Sequence, residues 1–168
     1  MALIDRAYSV GLERRVTPLP GKQAITVIAD FVLSHAAEID GIIARLTTLL
    51  EPLMLADMTE IVRGHGELTA LLRKVATDGK APRFFAAKYL HFHSPAVPIY
   101  DSYASAGLVS CVPWRACGSR FSELPSADGE YRDFCERFLH LYETCRTAGL
   151  AVSVRSLDAY LWQVPGAK

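Results

Sequence analysis

The stretch PRFFAAKYLHFHSPAVPIYDS, residues 82–102, decides how this chain is read. Pro82 suits the first position of a helix, where no intrahelical N–H is needed. Phe84, Phe85, Ala86, Ala87, Tyr89, Leu90 and Phe92 follow, and Ser94-Pro95 stops the helix near His93. A helix that is apolar around most of its circumference belongs at the centre of a helical domain. Asp101 or Ser102 can then cap a next helix, which runs to about Ser110 before Pro113.

Polar groups on such a helix need an explanation. Phe84, Lys88 and His91 fall at i, i+4 and i+7, so Lys88 and His91 share a face. An unpaired buried ammonium costs several kcal/mol, so Lys88 needs a carboxylate, a route to solvent or a lowered pKa. Asp101, thirteen residues on across the turn 94–100, is the nearest candidate. Two readings stay open. In one, Lys88 and Asp101 form a structural ion pair that clamps the turn, with His91 donating to a backbone carbonyl. In the other, Asp101 at a helix start beneath a cleft is a catalytic carboxylate, with Lys88 or Lys80 tuning it or acting as nucleophile and His91 beside them. A third, with His91, His93 and Asp101 as metal ligands, is disfavoured because His-x-His on a helix points its imidazoles about 200° apart.

Outward from this segment, apolar residues recur at helical spacing, and alternating strand patterns are hard to find. The expected fold is all-α, one compact domain over residues 1–168 with about seven helices. Helices are predicted over residues 2–15, 22–35 and 34–50, with breaks at Thr17-Pro18-Leu19-Pro20-Gly21 and Pro52. Another covers Met58 to Val75, with Gly64-His65-Gly66 dividing or bending it. Asp78-Gly79-Lys80-Ala81 is read as a turn and residues 114–129 as an irregular crossing. Tyr131, Phe134, Phe138, Leu141, Tyr142 and Cys145 form an amphipathic stripe ended by Gly149, and Ser153 caps a last helix carrying Leu157, Tyr160, Leu161 and Trp162.

Composition narrows the functional classes. Eighteen basic and eighteen acidic side chains leave no net charge, so any DNA contact has to come from a local patch. Cys111, Cys117, Cys135 and Cys145 have no CxxC spacing and read as free thiols, so no metal and no cofactor is expected. Charges at Asp5, Arg6 and Glu13 interrupt what would be a secretory apolar region, and no apolar run reaches bilayer length. The expectation is a cytoplasmic protein with no membrane partner.

The Gly79-Lys80 turn, the small-residue-rich apolar helix and Pro98-Ile99-Tyr100-Asp101 opening another helix resemble the second half of the helix-hairpin-helix DNA glycosylases, over roughly residues 60–110. The resemblance implies an all-α fold with a cleft, recognition of a flipped-out base, Asp101 as the catalytic aspartate, and Lys80 near the place of the hairpin lysine used by some members. Lys88-Tyr89-Leu90-His91-Phe92 with Pro98 to Ser102, and Leu157 to Trp162, are also similar to uncharacterised bacterial proteins. On this reading Tyr100, Tyr103 and Trp114 stack on a base, and Lys80, Arg83, Arg115 and Arg120 meet phosphates. The competing expectation is a non-catalytic helical scaffold, a homo-oligomer through the exposed part of the stripe Tyr131 to Cys145.

Overall fold

A computed structural model describes residues 16–17, 20–21, 23–76, 80–121, 124 and 128–164. Seven α-helices occupy these residues: α1 Ala24–Ser34, α2 Ala36–Thr47, α3 Leu55–Arg73, α4 Arg83–His93, α5 Ser102–Cys111, α6 Gly129–Thr147 and α7 Val154–Leu161. A short 3-10 turn, Trp114–Ala116, lies between α5 and α6, and no strand occurs among the described residues. The helix expected over residues 2–15 and most of the turn at Asp78-Gly79 lie outside them.

The helix starts follow local chemistry. The Asp101 carboxylate accepts the Ala104 N–H at 2.9 Å, Asp128 accepts that of Tyr131 at 3.1 Å, and Ser153 accepts that of Ser156 at 3.1 Å. Each satisfies a donor that the first helical turn leaves without an intrahelical acceptor. Gly149, at φ 81°, ends α6 in the left-handed conformation that glycine adopts without a Cβ clash.

α4 is central, as its composition predicts: Phe85 through Leu90 are all buried, and α4 packs on both α2 and α3. α3 differs from expectation. It runs unbroken through Gly64-His65-Gly66, because Gly64 faces α2 at a close crossing. A Cβ there would lie 3.2 Å from side-chain carbons of both Ile42 and Leu46, so tight packing outweighs the weak helix propensity of glycine. His65 between the glycines is fully buried and stacks on Tyr131, ring centroids 3.6 Å apart.

The stripe on α6 is mostly a core face. Tyr131, Phe134, Phe138 and Tyr142 are buried and Leu141 and Cys145 half-buried, so most of the stripe faces the core and only its margin at Leu141 and Cys145 reaches the surface. α5 lies on α6, and α7 lies on α5. α4, α5 and α7 thereby come to border one depression in the surface.

Candidate functional site

That depression is a pocket of about 970 Å³. α4 supplies Phe84, Lys88, His91 and Phe92; the start of α5 supplies Asp101, Ser102 and Tyr103; α7 and the residue after it supply Arg155, Asp158, Ala159 and Trp162. The i, i+4, i+7 spacing on α4 puts Phe84, Lys88 and His91 on the pocket side together.

The turn between α4 and α5 is fixed from four directions. The Ser94 hydroxyl donates to the Leu46 carbonyl at 2.8 Å, and the Tyr131 hydroxyl donates to that of Pro98 at 3.2 Å. His91 Nδ1 lies 2.7 Å from the Val97 carbonyl, and the Ile99 N–H donates to Asp158 Oδ2 at 3.3 Å. A carbonyl only accepts, so His91 carries its proton on Nδ1 and keeps a lone pair on Nε2. Burial, with Arg155 nearby, lowers the His91 pKa and favours this neutral form.

Two carboxyl groups border the pocket in different surroundings. Asp101 is 5% exposed and Lys88 8%, with Lys88 Nζ 3.6 Å from Asp101 Oδ2. This is an ion-pair separation too long for a hydrogen bond, and Oδ2 is buried with no hydrogen-bond partner while Oδ1 caps α5. Asp158 is 7% exposed, and its Oδ1 is likewise buried without a hydrogen-bond partner. Burial pushes its pKa up to about 8, with the Asp101 charge adding to the rise and the Ile99 N–H opposing it. Burial therefore favours the neutral acid form of Asp158, which lies beside the Lys88–Asp101 ion pair.

The rim is aromatic. Phe84, Phe92, Tyr103 and Trp162 are four of the large apolar side chains left exposed, and all four line this pocket. Tyr103 and Trp162 lie with centroids 4.9 Å apart and planes tilted by 37°. Exposed apolar rings gathered around a concavity are a surface suited to a flat ligand.

Of the residues singled out in the sequence, Lys88, His91, Asp101 and Tyr103 meet at this pocket. The others do not line it. Arg83 grips Asp128 through two hydrogen bonds of 2.9 and 3.0 Å and pairs with Glu130; Arg120 pairs with Glu136 and Glu143, both at 2.9 Å. Both guanidinium groups are thus neutralised along α6 rather than gathered into a phosphate-facing cluster. Tyr100 is buried, edge-on to Tyr131 and Phe134, and donates its hydroxyl to Glu130, with its pKa raised to about 12 chiefly by burial; it is a packing residue. Trp114 sits on the 3-10 turn beneath the Arg137 guanidinium at 4.8 Å, with the exposed Arg115 beside it, and Lys80 is exposed ahead of α4. His93 packs edge-on to Tyr89 at 4.8 Å, away from the pocket lining. Among the described residues no group of three His, Cys, Asp or Glu side chains could hold a metal ion.

Asp158, Arg155 and Trp162 were not identified as site residues from the sequence. A signal existed for Asp158: it lies one residue after Leu157 and three before Leu161, at the edge of the only apolar face α7 has. No protein-family model, no curated protein and no solved structure matches this chain.

Proposed function

We propose that the pocket receives a base turned out of a nucleic acid, and that Asp101 assists cleavage of its N-glycosidic bond. One observation carries this reading: a buried carboxylate oxygen with no hydrogen-bond partner, Asp101 Oδ2, belongs to a residue bordering an aromatic-rimmed pocket. In the reaction the C1′–N bond breaks with its electron pair leaving on the base, and positive charge develops across C1′ and the ring oxygen. A fixed carboxylate stabilises that charge and can take the proton of the attacking water. Lys88 keeps Asp101 in place and limits the cost of burying its charge. The flipped base stacks against the rim rings, which every nucleobase can do through its π-face.

Arg155 lines the pocket and is the cation best placed for a neighbouring phosphate, whereas Arg83 and Arg120 are held by carboxylates. Binding to DNA is expected to be weak, with a slope of log affinity against log salt no steeper than about −2 to −3. The test is base release from a panel of normal and damaged duplex, single-stranded and abasic substrates. Asp101→Asn should abolish release while leaving affinity and salt slope largely intact, since the change acts on the transition state. Borohydride trapping of a covalent adduct, lost in Lys88→Met or Lys80→Met, would assign a lysine nucleophile in place of water. Equal release by wild type and Asp101→Asn would remove Asp101 from the chemistry.

The depth of Asp101 and its cap on α5 favour a second reading, a non-catalytic helical interaction protein in which Lys88 and Asp101 only clamp the turn. Absence of measurable affinity for any of these nucleic acids at low salt would leave that reading standing.

A further inference from the structure

Asp158 is not needed for the cleavage step, yet it is the polar group whose placement says most about the ligand. Its Oδ2 is fixed by the Ile99 N–H at 3.3 Å, which leaves Oδ1 as the oxygen able to carry a proton. Oδ1 is buried and has no hydrogen-bond partner in the protein. A buried O–H left without an acceptor is unfavourable, and a ligand acceptor would relieve that. His91 lines the same pocket and carries a complementary group, since its Nδ1–H is committed to Val97 and Nε2 retains a lone pair. The buried charges are balanced, Lys88 against Asp101.

We propose that Asp158 is the ligand-recognition donor of this pocket, its Oδ1–H bonding to a carbonyl of an uncharged ring whose N–H is accepted by His91 Nε2. The ligand class is a lactam nucleobase of the uracil or hypoxanthine type, as opposed to a cationic alkylated base. A carbonyl-bearing ring meets the donor, its ring N–H meets the acceptor, and a neutral ring suits a pocket whose buried charges cancel. The assignment rests on the reading of the pocket as a base site.

Free uracil is the probe, followed by calorimetry or by Trp162 fluorescence. Because Asp158 must hold its proton to donate, affinity should be steady near neutral pH and fall about tenfold per pH unit well above pH 8. The groups facing Asp158 do not supply that profile in its place. His91 titrates below the ordinary histidine range, and burial raises both Tyr131 and Cys135 on α6. Asp101, Lys88 and Arg155 also border the site, so the variant comparison isolates Asp158. Asp158→Asn keeps a donor that does not titrate, and with 1,3-dimethyluracil, a probe that cannot ionise, should show the high-pH loss removed. Asp158→Leu should bind at least tenfold more weakly at every pH, its helix content and unfolding midpoint being checked alongside. 1,3-Dimethyluracil, which has no N–H to ionise or to offer His91, should bind more weakly than uracil and still show the high-pH loss.

A wild-type affinity independent of pH, wild-type affinity in Asp158→Leu, or no uracil binding at millimolar concentration would each overturn the assignment. Uracil binding with the expected profile but no base release from any substrate would leave Asp158 as the recognition donor and remove the cleavage reading. Base release with a pH-independent uracil affinity would do the reverse.

Discussion

A Cβ placed on Gly107 would stand 2.4 Å from the carbonyl oxygen of Leu161, so α5 and α7 meet backbone to backbone. No side chain is available there to swing aside. Gly107→Ala should push α7 off its seat at a cost of about 2–3 kcal/mol, with Asp158 and Trp162 displaced along with it. Denaturant unfolding measures the loss, and an unchanged midpoint would show that the crossing is looser than described.

Lys88 and Asp101 should behave as one unit. Lys88→Met and Asp101→Asn are each expected to cost about 3 kcal/mol, since each leaves a buried charge without its counter-charge, while the double variant costs much less than the sum. Asparagine keeps the cap on α5, so the cycle reads charge alone. Additive losses would separate the two residues.

The pH dependence of stability contains two opposing contributions. His65 is lowered from 6.5 to about 4 by burial, so its contribution is present above pH 6.5 and is lost as pH falls toward 4. Asp158 is raised from 3.8 to about 8, so its contribution is present below pH 3.8 and is lost as pH rises through 8. Over the shared window the two slopes, each about 1.4 kcal/mol per pH unit, cancel. Asp158→Asn should therefore gain stability relative to wild type as pH rises from 4 to 8. Parallel stability profiles for the two proteins would contradict the assignment.

Arg83→Met should cost about 2 kcal/mol, because Asp128 loses a two-pronged partner while remaining mostly buried. It should leave uracil affinity unchanged, since Arg83 does not line the pocket. A comparable drop in affinity would place Arg83 in the site.

Much of the helical frame follows from short-range chemistry that a sequence displays: the caps at Asp101 and Ser153, the stop at Gly149, the all-round apolar character of α4. The pairing of Lys88 with Asp101 was legible for the same reason, because a lysine on an apolar face needs a nearby countercharge. What was not legible depended on partners far apart in the chain. Gly64 and Gly66 read as a break because glycine is a poor helix former, and only the approach of Ile42 and Leu46 explains the place of Gly64 inside α3. Arg83 and Arg120 read as free cations because their partners, Asp128 capping α6 and Glu136 and Glu143 on it, lie 16 to 45 residues further along the chain. Asp158 took on meaning only once α7 was seated beside α4 and α5.

One wall of the pocket is an eight-residue helix near the end of the chain, too short to persist in water without the surface it rests on. Ligand affinity and the docking of that helix are consequently linked: undocking α7 would remove a wall of the pocket and lower the apparent affinity by the docked fraction. By the same linkage an occupant holds the helix down, so amide exchange across residues 154–161 should slow when uracil is added, in proportion to occupancy. α7 would then act as a latch whose hold on the domain depends on what the pocket contains.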